Sequence, residues 1–419
     1  MIEHRALRIL VVCSHPVQYM SPILRQMARQ PEIELQVAYC SLRGAEPSHD
    51  PEFNTTVQWD VPLLEGFEWV ELRNLGSGEE GFWGLNNPGL WKLIRQGRFD
   101  AVISLTGYIR ASFWIAYFAT HRFRTAFLFG TDASSLDPRD SRLWKVRLKK
   151  LFWPWLFGLA DQVIVGSSAG VDLMRSLGLR KEQITLTPFV VDNEWWSQQA
   201  CRVDRAQVRS AWNISPRDLV VLFCAKLQPW KRPLDLLRAF AMASVPETVL
   251  VFAGEGPLHE DLRAEAERLG MTTRIRFLGF TNQSQLPSVY TAADLFVLPS
   301  SYDPCPVVVC EAMLCGLPVV LSDEIRGRFD LVRTGITGEI FPCGNLQALS
   351  DTLRRLLVDR DMLSELSKNA RARMETWAPR DNIMATIEAV RLAVQNRRKG
   401  GLTRSADSNS GISPRIKKT

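Results

Sequence analysis

Short apolar runs recur along this chain, and each one ends in a loop of small or polar residues that leads into a helical segment. They occupy residues 8–13, 101–105, 126–129 and 162–165 in the first half, and 219–223, 248–252, 274–278 and 294–299 in the second. Such runs are typical of strands buried on both faces of a parallel sheet, with helices as crossovers. The alternation therefore predicts an α/β fold with doubly wound parallel sheets, and its recurrence favours two similar domains in tandem.

The length of the chain supports this division, because 419 residues exceed what one ordinary hydrophobic core holds. Residues 188–196 are interpreted as a hinge. We therefore predict an N-terminal domain over 1–192, a C-terminal domain over 193–378, a final helix over 379–395 and a disordered basic tail over 396–419. Ligands of such sheets bind at the carboxyl ends of the strands, which places the expected site between the two domains.

The net charge and the cysteines limit which class of partner and which cellular compartment are expected. The net charge is +6, but residues 396–419 contain seven Lys or Arg and one Asp, so the folded body is close to neutral and no nucleic-acid partner is predicted. The eight cysteines form no C-x-x-C pair, which favours free thiols in a reducing compartment. Without an apolar run of ~18 residues or a signal-peptide core, the chain is expected to be cytoplasmic, at most at the inner face of a membrane.

The stretch 299–322 reads as the end of a buried strand, a polar loop, a helix over 305–314 and a further strand. Asp303 precedes the helix and Glu311 lies on its last turns, so the two carboxylates are expected roughly 12 Å apart along one wall of a cleft. The free N–H groups at the helix start are suited to an anion between them. Taken singly, Asp303 also fits a helix N-cap and Glu311 a solvated helix position.

Two further segments of the second half carry residues suited to phosphate. Lys226 and Lys231 follow an apolar run and precede a helix, which suits a diphosphate, although the segment taken alone fits a solvated basic turn better. Gly254 and Gly256 form a Gly-x-Gly turn after the next run. Such a turn is a weak signal by itself, because glycines serve many tight turns.

Taken together, these segments resemble the retaining glycosyltransferases of the GT-B fold, family 4. The resemblance runs from about residue 219 to 357 and rests on Glu311-Ala-Met, on Gly316-Leu-Pro-Val-Val and on the Gly-x-Gly-Pro turn. It departs from the family pattern where Asp303 replaces a Glu and where Lys226 replaces an Arg. The resemblance implies two Rossmann-like domains facing a central cleft, with the final helix crossing back to the first.

The resemblance also implies roles for individual residues. Glu311 would hold the ribose of a nucleotide-diphosphate sugar, Asp303 the hydroxyls of the donor sugar, and the two lysines the leaving diphosphate. The implied donor-binding residues are Lys226, Lys231, Gly254, Gly256, Phe280, Val307, Val308 and Glu311. The implied catalytic residues are Asp303, Lys231 and Asp132. The nucleotide sugar is a co-substrate, and no cofactor is expected.

The first domain offers fewer signals. His15 and Gln18 follow the first apolar run and are candidates to touch the acceptor or the donor phosphate, with packing of the loop an equal alternative. Asp132 follows the run at 126–129, where many family members have a His, and is interpreted as a polar group near the reacting sugar or as an N-cap. Residues 44–89 are less regular and are expected to form an inserted loop region over the cleft.

Two further segments resemble a metal-binding motif and a membrane-binding helix. Asp359-Arg-Asp361 has the D-x-D shape of a cation site, but it lies between helical patterns, so we predict a solvated turn and no metal. Residues 142–159 combine five basic residues with three Trp and two Phe. This composition suits peripheral contact with an anionic membrane, to which the basic tail would add, or an ordinary helix kinked at Pro154 and packed on the sheet.

The sequence thus predicts a retaining glycosyltransferase of the hexosyltransferase type. It would transfer a sugar from a nucleotide-diphosphate donor to a glycan, lipid-linked or small-molecule acceptor, in polysaccharide or glycoconjugate biosynthesis. Two alternatives stay open: a sugar-nucleotide-binding protein without catalysis, motivated by Asp303 and the absent His, and another GT-B enzyme such as a sugar-nucleotide epimerase.

Overall fold

Two parallel sheets form the framework of the protein in the computed structural model, which describes residues 5–50, 53, 55–137 and 143–409. The strands of the first domain are β1 (Leu7–Cys13), β2 (Ile33–Tyr39), β3 (Ser48–Asp50), β4 (Thr55–Val57), β5 (Glu68–Glu71), β6 (Ala101–Ser104), β7 (Ala126–Thr131), β8 (Gln162–Val165) and β9 (Ile184–Leu186). Seven of the described strands form one parallel sheet in the order β5-β2-β1-β6-β7-β8-β9, while β3 and β4 pair separately and antiparallel.

Helices cover both faces of this first sheet. They are α1 (Ser21–Met27), α2 (Gly89–Gly97), α3 (Ala111–Phe123), α4 (Leu143–Gly158) and α5 (Ser168–Ser176). Their buried side chains and those of the sheet fall into two hydrophobic clusters, one of which continues into the second domain. The first sheet is therefore a doubly wound unit, as predicted.

The second domain repeats the same plan. Its strands are β10 (Leu219–Cys224), β11 (Thr248–Ala253), β12 (Ile275–Gly279), β13 (Leu295–Leu298), β14 (Val319–Ser322) and β15 (Gly338–Phe341), all parallel in the order β12-β11-β10-β13-β14-β15. Its helices are α6 (Asn193–Cys201), α7 (Arg205–Ala211), α8 (Pro233–Ala243), α9 (His259–Arg268), α10 (Leu286–Ala292), α11 (Val307–Leu314), α12 (Arg328–Leu331), α13 (Leu346–Val358) and α14 (Arg360–Arg373). The predicted pair of parallel α/β domains is confirmed.

Most of the strands predicted from the sequence are central ones, although β12, predicted at 274–278, lies at the edge of the second sheet. All six residues of β10 are buried, since a helix layer covers each face of a central parallel strand. The edge strands β5 and β9 were missed, because one of their faces is only half-covered and their residues do not form an apolar run. Burial on both faces thus makes a strand easier to predict from the sequence, because it produces an apolar run.

The chain passes between the domains twice, and the two passages lie side by side. Trp377 donates its indole N–H to the carbonyl of Phe189 at 2.7 Å, and Asn382 donates to the carbonyl of Pro188 at 2.7 Å. The last helix, α15 (Pro379–Asn409), then packs against β6 to β9 of the first sheet. It thus crosses back to the first domain, as the resemblance implies.

The last helix is longer than predicted. It continues to Asn409, whereas the prediction ended it at 395 and began a disordered tail at 396. Arg397 is held by an ion pair with Asp161 at 3.4 Å, which ties this part of the helix to the first domain. Residues 410–419 of the predicted basic tail lie outside the described residues.

Candidate active site

A cavity of about 400 Å³ lies between the domains, at the carboxyl ends of the central strands. In each sheet the strand order reverses beside the first strand, β1 in one domain and β10 in the other, and loops diverge there to leave a crevice. His15 follows β1, Lys226 follows β10, and Asp303 follows β13, which is the neighbour of β10. Parallel topology therefore brings residues far apart in sequence to one cavity.

Lys226 bridges the two domains across this cavity. Its ammonium lies 3.3 Å from a carboxylate oxygen of Asp50 and 4.5 Å from the centroid of the Phe53 ring, both in the first domain. An ammonium over an aromatic face is attracted by the ring quadrupole. Lys226 is therefore no solvated turn residue, and its positive charge is directed into the cleft.

Lys231 and Asp303, which also line the cavity, form an ion pair. The ammonium and the carboxylate oxygen are 2.5 Å apart, and the two side chains are only 17% and 10% exposed. The helix that follows begins at Val307 with Pro306 at its N-cap and no side-chain cap, so the N-cap alternative for Asp303 is wrong. The loop conformation directs the Asp303 carboxylate toward Lys231 instead.

Glu311 occupies a different environment from the one expected. It is only 2% exposed and accepts a hydrogen bond from the Tyr290 hydroxyl at 2.9 Å. Burial raises the pKa of the Glu311 carboxyl from its ordinary 4.5 to about 7, although hydrogen bonds from Tyr290 and Gln283 oppose the shift. Both the expectation of a carboxylate on the open cleft wall and that of a solvated helix position are therefore wrong for this conformation.

The geometry of α11 explains this burial. Residues 309 to 314 of the helix are all buried, so the sheet and neighbouring helices enclose it on most sides. Val308 lines the cavity, while Val307 is partly buried against the core. Because residues three apart share a helix face, Glu311 lies one turn deeper than Val308.

Gly254 and Gly256 support the loop that carries Lys226, and neither is among the described residues that line the cavity. Their φ angles are +139° and +155°, in the region that favours glycine. A Cβ on Gly254 would lie 2.1 Å from the carbonyl oxygen of Ala225, and one on Gly256 would lie 2.8 Å from that of Leu227. The turn therefore lets two backbone segments approach closely behind Lys226.

Phe280 packs against the first domain. Its ring lies 5.1 Å from that of Phe53 and 6.1 Å from that of Trp59, measured between centroids. Beside it, the backbone N–H of Ser284 donates to the Asp60 carboxylate at 3.0 Å. Phe280 therefore belongs to the contact that closes one end of the cleft, and it is not among the described residues lining the cavity.

His15 and Gln18 both line the cavity from the first domain. Burial lowers the pKa of His15, and the charges of Arg43 and Lys226 lower it further, so the imidazole is neutral at neutral pH. Ser14 Oγ lies 3.0 Å from His15 Nδ1. Gln18 Oε1 is buried and finds no hydrogen-bond partner in the described part of the chain, which makes it available to a ligand hydroxyl.

Asp132 follows the last residue of β7 on the first-domain side of the cleft. Part of its surface is accessible to solvent, but the surrounding protein atoms desolvate its carboxyl group. This desolvation raises the pKa of the Asp132 carboxyl, and the nearby charge of Asp303 raises it further. Asp132 thus lies close enough to Asp303 to be affected by its charge. Residues 133–137, which directly follow Asp132, are not helical, so the N-cap alternative is wrong.

Several cavity residues were not anticipated as site residues. They are Tyr19, Arg43, Asp50, Phe53, Trp59, Trp230 and Tyr302. Three of them, Asp50, Phe53 and Trp59, belong to the irregular region that was expected over the cleft, where β3 and β4 pair beside the cavity. Trp230 adjoins Lys231 directly in the sequence, and that adjacency could have identified it.

The D-x-D motif forms a turn between helices. Asp359 ends α13 and caps α14 by accepting a hydrogen bond from the Met362 backbone N–H at 2.9 Å. Asp361 lies in the first turn of α14. Both residues therefore act at helix termini, away from the cleft.

Two family profiles match this chain. The profile of glycosyl transferase 4-like domains matches residues 16–190, and that of glycosyl transferases group 1 matches residues 204–373. The fold and these matches define the class, and the chain is a member of the GT-B glycosyltransferases. Within that class it combines a glycosyl transferase 4-like domain at the N-terminal side with a glycosyl transferases group 1 domain at the C-terminal side.

Individual relatives match part of the chain. A D-inositol 3-phosphate glycosyltransferase from Mycobacterium sp. (strain KMS) is 36% identical over 37% of this chain, and sulfoquinovosyl transferase SQD2 from Arabidopsis thaliana is 30% identical over 57%. The matched parts span 36% and 46% of those proteins. These two relatives are thus matched over less than half of their length.

Solved structures match nearly the whole chain. Anabaena Alr3699/HepE in complex with UDP and glucose aligns with a TM-score of 0.68 at 19% identity, covering 96% of this chain and 100% of that one. WaaG, a glycosyltransferase involved in lipopolysaccharide biosynthesis, aligns with a TM-score of 0.59 at 15% identity, covering 88% and 95%. At such identities the likeness establishes the fold.

Proposed function

We propose that this protein transfers a sugar from a nucleotide-diphosphate donor to a hydroxyl-bearing acceptor, with retention of configuration. The observation that carries the proposal is the pair of lysines, Lys226 and Lys231, that face one interdomain cavity next to the start of α11. In the free protein the carboxylates of Asp50 and Asp303 lie against these ammonium groups. A diphosphate is the kind of ligand that such a doubly cationic crevice accepts.

In this proposal the bond between the anomeric carbon and the diphosphate oxygen breaks, and the leaving group keeps the electron pair. Lys226 and Lys231 stabilise the charge that grows on the diphosphate, which is usually the largest electrostatic contribution at such a site. An ammonium has three N–H donors, so Lys231 can donate to a phosphate oxygen while it keeps Asp303. The second oxygen of Asp303 is then available for a donor hydroxyl.

The first domain supplies the acceptor side in this proposal. The acceptor hydroxyl attacks the anomeric carbon from the face that the diphosphate leaves, and its proton passes to the departing phosphate oxygen. Gln18 Oε1, buried and without a partner among the described residues, is the proposed acceptor contact, with neutral His15 beside it. Asp132 approaches the same region from the end of β7.

Glu311 is the proposed ribose ligand, and its burial restricts the direction from which a nucleoside can reach it. Its carboxylate is held by Tyr290 one turn below Val308, so the nucleoside must enter along that face of α11 to reach it. UDP and UDP-glucose are bound by the structurally similar HepE. These two are therefore the first ligands to test here.

The decisive experiment is donor turnover. The purified chain is incubated with a panel of nucleotide sugars, with and without lipid-linked acceptors, and nucleotide release and product linkage are measured. Lys231→Ala and Glu311→Ala should each reduce nucleotide release by about 100-fold or more, whereas Lys368→Ala, an exposed lysine of α14, should leave it unchanged.

Three outcomes would reject the proposal in favour of an alternative. Tight donor binding without nucleotide release for every donor and acceptor identifies a sugar-nucleotide-binding protein. Interconversion of the donor sugar in the absence of an acceptor identifies an epimerase. Product with inverted anomeric configuration overturns the retaining mechanism.

A further inference from the structure

Helix α4 exposes a stripe of large apolar side chains to solvent. Trp144, Leu148, Leu151 and Trp155 are 58%, 55%, 81% and 55% exposed. Their spacing of four, three and four residues places all of them on one face of the helix. Trp153, Leu156 and Phe157 on the other side are buried in the domain, so the helix packs on the domain and still presents a second apolar face.

The stripe continues onto the neighbouring helix α3. The Trp155 ring stacks on that of Trp114, with 6.1 Å between centroids, and Trp114 in turn contacts Phe118, which is 55% exposed. An apolar surface that spans two helices exceeds the scattered apolar residues of an ordinary soluble surface. It therefore marks a place where a partner binds.

The charges around this surface indicate which partner fits. Helices α3 and α4 contain five Lys or Arg and no Asp or Glu. Arg147 and Lys150 are exposed beside the stripe, and the Lys145 ammonium lies 5.9 Å from the centroid of the Trp144 ring. A second copy docked through the same surface would bring like charges together, whereas an anionic lipid surface accepts both the rings and the ammonium groups.

We propose that α4 and the exposed end of α3 dock this protein onto a bilayer of anionic lipid, with Trp144, Leu148, Leu151 and Trp155 entering the headgroup region. None of the described helices is long and apolar enough to span a membrane, so the attachment is interfacial. The basic tail was also predicted to contribute to membrane contact, but most of its basic side chains lie outside those that the structure describes. The docking surface proposed here does not depend on the tail.

The docking surface adjoins the candidate active site. Lys149 on α4 donates to the carbonyl of Leu136 at 3.1 Å, in the segment that begins with Asp132. Trp153 donates its indole N–H to the Tyr108 hydroxyl at 3.0 Å, in the loop after β6. Both loops start at the carboxyl ends of strands that face the cleft. If the proposed function holds, on which this step rests, an acceptor anchored in the bilayer reaches the cleft from the first domain.

Vesicle co-sedimentation of the full chain tests the docking without any donor. The chain should pellet with vesicles of phosphatidylcholine mixed with phosphatidylglycerol, less so at high salt, and only weakly with phosphatidylcholine alone. The double variant L148E/L151E should reduce the partition by about tenfold or more. The variant R147Q/K150Q should reduce it by about tenfold on anionic vesicles only.

Val358→Glu provides the matched control, because Val358 is 70% exposed on the second domain, and its binding should equal that of the wild type. All four altered side chains of the test variants are exposed, so the variants should unfold like the wild type. Nucleotide release from the donor without lipid should also be unchanged in L148E/L151E, which separates failure of the docking from failure of the proposed function.

Two results would overturn the docking. One is a wild-type chain that stays in the supernatant with anionic vesicles, or an L148E/L151E variant that pellets as the wild type does. The other is a wild-type dimer that L148E/L151E converts to a monomer in sedimentation velocity without any vesicle binding. That second result would assign the surface to a second copy of this chain.

Discussion

The ammonium of Lys231 lies 2.5 Å from the carboxylate of Asp303, although the two residues are 72 positions apart and follow different strands. Their strands, β10 and β13, are neighbours in the second sheet. The pair therefore forms where the connections diverge, at the floor of the interdomain cavity. Asp303 thus neutralises the positive charge of the largely buried Lys231 side chain.

Removing the carboxylate of Asp303 should affect both stability and catalysis. Asp303→Asn leaves the Lys231 ammonium largely buried without its counter-charge, so the free energy of unfolding should fall by about 3 kcal/mol. Nucleotide release should fall by about 100-fold or more. Urea unfolding and a nucleotide-release assay measure the two effects. Asp303→Glu, which restores the family residue, should retain most of both, and full activity in Asp303→Asn would remove Asp303 from the mechanism.

The buried carboxyl of Glu311 should make stability depend on pH in a defined direction. Its pKa is raised from 4.5 to about 7 by burial, so folding favours the protonated form. Its contribution to the free energy of unfolding is therefore fully present below pH 4.5 and is lost as pH rises through about 7. The loss amounts to about 3 kcal/mol.

Glu311→Gln isolates this effect, because the amide does not titrate. Urea unfolding of both proteins across that pH range gives the difference in their free energies of unfolding, and contributions of other carboxyls largely cancel in it. The wild type should lose stability relative to the variant as pH rises. A difference that stays constant with pH would show that Glu311 has an ordinary pKa.

Gly254 should tolerate a side chain poorly. Gly254→Ala places a Cβ 2.1 Å from the Ala225 carbonyl oxygen, so the loop carrying Lys226 must shift. Gly270→Ala is the matched control, since its φ is also positive, at +67°, but nothing lies within 4 Å of the added Cβ. Both substitutions strain the backbone by about 1–2 kcal/mol, and Gly254→Ala should add about 1–3 kcal/mol of overpacking.

Binding of uridine diphosphate separates the two glycine variants functionally. Affinity measured by calorimetry should fall in Gly254→Ala, because Lys226 moves, and should remain in Gly270→Ala. Equal affinity in both variants would mean that the Gly-x-Gly turn does not position Lys226.

If Lys226 binds a diphosphate as proposed, Asp50 should compete with that ligand for the lysine ammonium. Its carboxylate lies 3.3 Å from the ammonium, so Asp50→Asn removes a negative charge from an anion-binding cavity. Affinity for uridine diphosphate should rise by about fivefold, which corresponds to about 1 kcal/mol. Asp351→Asn, an exposed position on α13, is the control and should change nothing. A weaker affinity in Asp50→Asn would show that Asp50 orients Lys226 for the ligand.

Much of the fold could be predicted from the sequence. The central strands are apolar on both faces because helices cover both sides of each sheet, and that burial produced the runs at β1, β7, β10 and β11. The edge strands β5 and β9 were missed because their residues are exposed or only half-buried and form no apolar run. The final helix was found but cut short, since its polar continuation gives no apolar period beyond 395.

The candidate active site could be predicted only in part from the sequence. Motif spacing placed Lys226, Lys231 and Asp303 at one cavity, because each follows a strand of the same parallel sheet. Spacing along the chain could not tell that Glu311 is enclosed by its neighbours, since burial depends on what packs around a helix. The same holds for Gly254 and Phe280, whose contacts are with distant backbone and with the other domain.

The sequence by itself determined two doubly wound parallel sheets and the two lysines that suit a diphosphate, since local apolar patterns and loop positions carry that information. Only the tertiary structure decided that Lys226 meets Asp50 and that Glu311 is buried against Tyr290. It alone decided, too, that α4 leaves one apolar face uncovered. These features depend on how distant segments pack together, and no local pattern encodes the distance between them.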